Sequence, residues 1–170
     1  MEISRELYDN YVAILKEELV PAMGCTEPIA IAYAAAKARD TLGSEPEKMN
    51  VTCSGNIVKN VKGVTVPNSG GQKGIEAAAA LGVFGGDAAK ELEVIAGATD
   101  EARKKARTFV KDGRCEVSLA EDVPNLYIKD TVARFSEASD SMSVTPLRVP
   151  PAFSIFSTTS RSMLSASAPG

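Results

Sequence analysis

Ala22-Met23-Gly24-Cys25-Thr26-Glu27-Pro28-Ile29-Ala30-Ile31-Ala32-Tyr33-Ala34-Ala35-Ala36-Lys37-Ala38-Arg39 sets the fold of this chain. Residues 29–39 are almost all alanine and isoleucine. A helix so apolar around its girth must be buried, and small side chains let its neighbours come close. Its start is marked in the sequence. Thr26 is a good N-cap, Glu27 puts a negative charge in the first turn, and Pro28 is tolerated where its missing N–H has no intrahelical partner. Cys25 therefore stands where unpaired backbone N–H groups and the positive end of a helix dipole should lower a thiol's pKa. The chain has no histidine, so proton transfer near neutral pH falls to a thiolate, a carboxylate or a lysine. Cys25 is the best-placed candidate; the competing reading is a small buried side chain in a helix-entry loop.

Outward from this stretch, Leu7, Tyr11, Ile14, Leu15 and Leu19 have helical spacing, and Pro21 ends that helix. Downstream, residues 50–53, 57–61 and 64–66 read as short strands with turns at Gly55-Asn56 and Lys62-Gly63. Pro67-Asn68-Ser69-Gly70-Gly71-Gln72-Lys73-Gly74 leads into a helix over 75–81, and Ser69 and Gln72 have capping-box spacing. Gly82, Gly85 and Gly86 punctuate. Asp87 caps a helix over 88–95, and Thr99 caps another over 100–111, with Gly113 as its stop. Residues 116–119 and 126–129 read as strands. The predicted fold is α+β, with Ala-rich helices packed on a small sheet.

Composition narrows the function classes. The 170 residues carry a net charge of −3, which gives no basic surface for nucleic acid or acidic membrane. No apolar run approaches the ~20 residues of a membrane span, and the N-terminus is charged rather than signal-like, which points to the cytoplasm. The three cysteines, Cys25, Cys53 and Cys115, are too scattered for a disulfide framework or a Cys-x-x-Cys metal site, so no metal is expected in this chain. Cys53 and Cys115 lie on predicted strands and read as core. Asn50-Val51-Thr52 matches a glycosylation sequon without a secretory signal.

The Ser69-Gly70-Gly71 turn is the second candidate site. Glycines let the backbone approach a ligand, and N–H groups at a helix start bind carboxylate or phosphate. The pattern is neither a Walker loop nor a dinucleotide fingerprint. A tight turn that merely needs positive φ is the alternative. Lys73 as a Schiff-base lysine for pyridoxal phosphate is less well supported than Lys73 as a charge flanking the turn.

Composition breaks near residue 130. Residues 131–170 hold ten serines against five in the first 130, no lysine, and a single glycine at the terminus. Pro146, Pro150 and Pro151 interrupt regular structure. The chain thus divides into 1–129 and a Ser-rich, irregular tail over 130–170.

Three motifs in order carry a resemblance: residues 19–28 around Gly24-Cys25-Thr26-Glu27-Pro28, residues 53–71 from Cys53-Ser54-Gly55-Asn56 to Pro67-Asn68-Ser69-Gly70-Gly71, and Lys73-Gly74-Ile75-Glu76 with the alanine run to Gly82. Together with Gly85-Gly86-Asp87 and residues 116–121 they cover about 5–129. This portion resembles the L-cysteine desulfidase family, which is related to the alpha chain of iron–sulfur L-serine dehydratases. The resemblance implies a lyase that converts L-cysteine to pyruvate, ammonia and sulfide by β-elimination; the relatives act on L-serine. It implies Cys25 as proton acceptor and a [4Fe-4S] cluster in the full-length family. The family's cluster cysteines lie in a C-terminal half without counterpart here, so the cluster is not expected on this chain alone. A β-elimination needs a base for the α-proton and help for the leaving group. Ser69, Gly70 and Gly71 are assigned to the substrate carboxylate. The alternatives are a catalytically inactive truncated fragment, an interaction module, or serine-type specificity. The expected partner is a small amino acid, with a homo-oligomer compatible and no nucleic acid or membrane. The tail is expected to be an out-of-frame ending on a truncated gene, and apolar helix faces should be left uncovered.

Overall fold

The computed structural model describes residues 3–19, 22–134, 140–144 and 159–160. Five α-helices run α1 (Arg5–Glu18), α2 (Thr26–Leu42), α3 (Gly55–Val61), α4 (Ile75–Gly85) and α5 (Asp100–Lys111), with a 3-10 turn over Ala88–Glu93. The strands are β1 (Lys48–Ser54), β2 (Cys115–Ala120), β3 (Ile128–Arg134), β4 (Asp140–Val144) and β5 (Thr159–Ser160). They form one sheet in the order β2-β1-β3-β4-β5. β1 pairs parallel to β2 and antiparallel to β3; β4 and β5 continue antiparallel. The fold is α+β, with Ala-rich helices over a small mixed sheet. No described helix is long and apolar enough to cross a membrane.

The alanine stretch does what its composition demands. Ile29, Ile31, Ala32, Ala35, Ala36 and Ala38 of α2 are buried, and α2 packs against α4 and β3. Contact with α4 is at backbone range: a Cβ on Gly82 would stand 2.2 Å from the Ala32 carbonyl oxygen. Gly82 is therefore not punctuation but the point where the helices touch, and α4 runs through it to Gly85. Arg39 Nη1, further along α2, donates to the Val83 carbonyl at 2.9 Å and adds a second tie between the helices. Phe84 meets Phe109 of α5 edge-on, with ring centroids 5.2 Å apart. Beneath them Met49, Val51 and Cys53 of β1 alternate inward with Ile128 and Val132 of β3.

Several sequence expectations change. Residues 57–61 form α3, not a strand. Ile57 and Val61 are both buried, and over so short a run a four-residue spacing fits either period. Residues 64–66 make only a single bridge, Thr65 to Lys73. Ser69 and Gln72 do hydrogen-bond, but they close a loop: α4 starts at Ile75 after Gly74. The 88–95 helix is a 3-10 turn, with Asp87 accepting from the Ala89 N–H at 3.1 Å. Thr99 caps α5 as expected.

The sheet does not stop at residue 129. β3 continues to Arg134 with Asp130 and Val132 buried. β4 and β5 also fall inside the segment expected to be irregular, because the open edge of β3 offers unpaired N–H and C=O groups for them to bond. The rest of 135–170 lies outside the described residues.

Candidate functional site

The chain enters α2 through Gly24 and Cys25. Cys25, not Thr26, is the N-cap, and its side chain makes no capping bond to the helix. The Cys25 thiol is exposed. Its Sγ donates to Glu27 Oε2 at 3.1 Å. The other carboxylate oxygen, Oε1, accepts from Asn60 Nδ2 of α3 at 3.2 Å. The Thr26 hydroxyl adds a longer bond of 3.4 Å to Oε2. Asn60 reaches this point because Ile57 and Val61 anchor α3 to the core.

These contacts overturn one expectation. Glu27 raises the Cys25 pKa above the ordinary thiol value, first by accepting its hydrogen bond and also by its negative charge, with burial adding to the rise. Glu27 itself is held below the usual carboxylate range, chiefly by the Cys25 hydrogen bond, with Asn60 and Thr26 contributing. An anion 3.1 Å from the sulfur outweighs the diffuse field of a helix end. The proton therefore rests on sulfur, shared toward a carboxylate.

The loop that carries the glycines touches the entry to α2 at its first residue, Pro67. A Cβ on Gly24 would stand 3.4 Å from Pro67 Cγ, so the two motif segments meet there. α5 clamps the loop. Arg103 Nε donates to the Asn68 carbonyl at 2.7 Å, and Arg103 also bonds the Asn68 side chain. Arg107 donates to the Gly70 carbonyl at 3.1 Å and the Ser69 carbonyl at 3.4 Å. Asn68 Nδ2 in turn donates to the Ile95 carbonyl at 2.8 Å.

Ser69 is fully buried, and its Oγ accepts from the Gln72 N–H at 2.9 Å. Its hydroxyl builds the loop, so it is not presented to a ligand. Gly70 and Gly71 are exposed at φ 72° and 87°. Among the described residues neither N–H has a protein acceptor. Two adjacent free N–H groups suit an anionic oxygen. Lys73 is exposed, and its described pairing is the backbone bridge to Thr65.

Cys53 and Cys115 lie in the core on β1 and β2. Burial, with the neighbouring Asp130 charge, pushes the Cys53 thiol up to about 12 and the Cys115 thiol up strongly as well. A four-thiolate cluster needs gathered cysteines. Here one thiol is exposed and two are buried, and among the described residues no three Cys, Asp or Glu side chains gather as metal ligands. These residues do not fit an iron–sulfur cluster. Two surface depressions, one lined by Arg39, Asp40 and Gly43 to Glu45 and one by Glu47, Lys48, Gly113 and Arg114, lie elsewhere. The first is at the far end of α2, about 25 Å from Cys25 at the helical rise.

The structure thus brings Cys25 together with Glu27, and Gly24 against the loop that carries Gly70 and Gly71. Sequence reasoning treated Glu27 only as a first-turn charge and missed Asn60, Arg103 and Arg107. Glu27, two residues from Cys25 at a helix start, was the available signal. The arginines carry none, since Arg103 and Arg107 read as the polar face of an amphipathic helix.

Comparison with known proteins finds UPF0597 proteins. That of Finegoldia magna is 56% identical over 120 residues, which is 71% of this chain and 29% of the relative. That of Treponema denticola is 47% identical over 131 residues, 77% of this chain and 30% of the relative. That of Desulfitobacterium hafniense is 53% identical over 121 residues, 71% of this chain and 28% of the relative. The chain therefore spans less than a third of the length of these relatives. No family model matches the chain, and no solved structure matches it.

Proposed function

We propose that this chain is the N-terminal portion of a cytoplasmic lyase that converts L-cysteine to pyruvate, ammonia and sulfide by β-elimination, with Cys25 as the group that takes the α-proton. The single observation that carries the reading is the Cys25–Glu27–Asn60 chain at the entry to α2. It couples a thiol to an oriented carboxylate in a chain whose 170 residues include no histidine. The resemblance to L-cysteine desulfidases supports the same residue.

The chain's own residues have definable parts in this reaction. At rest the sulfur holds the proton and Glu27 is ionised. For the thiol to act as a base, its proton must first pass to Glu27 Oε2. Asn60 holds the carboxylate in line for that transfer. The resulting thiolate stands at the N-terminal end of α2, whose dipole favours negative charge. It then takes the substrate's α-proton, the C–H electron pair forms the Cα–Cβ double bond, and the Cβ–S pair leaves with sulfide. The resulting enamine hydrolyses to pyruvate and ammonia. The substrate carboxylate is assigned to the Gly70 and Gly71 N–H groups, and Ser69 now serves as the loop's internal brace. A [4Fe-4S] cluster belongs to the full-length relatives under this reading, because the thiols here do not fit one.

That misfit favours a second reading, in which this chain alone is catalytically inactive and acts as a fragment or interaction module. Anaerobic sulfide release from L-cysteine, measured beside pyruvate formation from L-serine after iron–sulfur reconstitution, separates the readings. The lyase reading expects sulfide release that falls at least about 100-fold in Cys25→Ser, the loss typical when a general base is removed. Release unaffected by that substitution removes Cys25 from the mechanism. No release from the unaltered chain leaves the fragment reading. A preference for L-serine would assign the dehydratase-type specificity.

A further inference from the structure

α1 buries none of its residues. Leu7, Tyr8, Tyr11, Ile14 and Leu15 are 42–55% exposed, and Leu19 just beyond the helix is 70% exposed. Of the large apolar side chains that stand exposed among the described residues, only Leu119 lies away from this N-terminal segment. The exposed stripe exceeds what a monomer's surface needs to show.

Its shape indicates what it fits. At the helical repeat, the five α1 side chains fall within an arc of about 120°, the width of a helix face that packs on a globular core. A two-stranded coiled coil uses a narrower seam. Charge points the same way. α1 carries four carboxylates, Glu6, Asp9, Glu17 and Glu18, against Arg5 and Lys16. A second copy of α1 would oppose like charges at its rim. A broad apolar groove with basic edges would not.

We infer that the apolar face of α1 is a docking surface for the portion of the longer relatives' chain that this chain does not contain. The chain matches less than a third of each relative, which leaves a body large enough to bury the whole stripe. The inference is independent of the chemistry at Cys25. It makes α1 the element by which this α+β unit is tied to the rest of such a protein.

Hydrogen exchange tests it on two intact proteins, this chain and the full-length Finegoldia magna relative, with light scattering to fix the oligomeric state of each. We expect the amides of α1 to exchange fast in this chain. In the relative, the corresponding helix should be slower by at least about 100-fold, as buried helices are. A corresponding helix that exchanges as fast in the relative overturns the inference. So does a dimer of this chain in which α1 is protected, since the occupant would then be a second copy. A Leu7→Ser, Leu15→Ser double variant of this chain should melt at an unchanged temperature; a clear fall would show α1 packed on its own body and would equally overturn it.

Discussion

Two places in this molecule set a carboxyl group beside a thiol, and they behave in opposite ways. At the surface, Glu27 accepts from Cys25, Asn60 and Thr26 and is held in its ionised form. In the core, Asp130 is fully buried near Cys53 and Cys115, and neither of its oxygens has a partner among the described residues. Burial pushes its pKa up to about 8. The same pair of functional groups gives an ionised, oriented carboxylate in one place and a neutral, unpartnered acid in the other. Hydrogen bonds decide the first and loss of solvent decides the second.

The largest effect should come from the core. Asp130 is raised in the folded state above its ordinary value of 3.8. The folded chain then holds a proton that the unfolded chain releases, so the contribution of Asp130 to stability is fully present below about pH 4 and is lost as pH rises toward 8. Urea unfolding at a series of pH values should show stability falling across that range. Asp130→Val should remove the slope and raise stability near pH 7. Asp130→Asn should flatten the slope yet keep the cost of a buried unpaired amide, about 1–3 kcal/mol. A pH-independent midpoint in the unaltered chain would show that Asp130 has found a partner.

Next come the thiols as packing groups. Cys53→Gly removes a buried side chain and should cost about 2 kcal/mol. Cys25→Ala, at an exposed N-cap without a side-chain bond to the helix, should cost less than about 0.5 kcal/mol. Equal losses in thermal melts would erase the distinction between the two regions.

A smaller effect separates them by reactivity. In the native protein only Cys25 should titrate with a thiol reagent, and Cys53 and Cys115 should become reactive on unfolding. Glu27→Gln takes away the anion that holds the Cys25 proton, so the Cys25 pKa should fall and alkylation at pH 7.5 should speed up by about three-fold or more. Slower alkylation would mean that Glu27 activates the thiol at rest. The smallest expected change is from Asn60→Ala. It frees one carboxylate oxygen and should shift the alkylation pH profile without altering the melting temperature by more than about 2 °C.

Much of this was legible in residue order. The alanine-isoleucine run announced a buried helix, and Thr99 with Gly113 bounded α5 correctly. Cys53 and Cys115 read as core because free cysteine is among the most buried residue types, and both are buried. Residues 57–61 read as a strand because five residues hold too few repeats to tell a helix from a strand. The composition break at 130 is real in the sequence, yet β3 crosses it, since pairing along β1 follows backbone geometry rather than residue type. At the candidate site, the position of Cys25 was readable, but the state of its proton was not. The charge that controls it arrives from Glu27, whose orientation depends on Asn60, 33 residues away.

Sequence alone determined the α+β class and the buried Ala-rich helix. Each follows from local composition and spacing, which fix which faces avoid water. Tertiary structure alone decided that the Cys25 thiol is held toward its protonated form, that Ser69 turns inward, and that among the described residues the Gly70 and Gly71 N–H groups and the Asp130 carboxyl have no partner. Each of these depends on which distant groups arrive within hydrogen-bonding range, and that is set by how helices and strands pack rather than by any one segment.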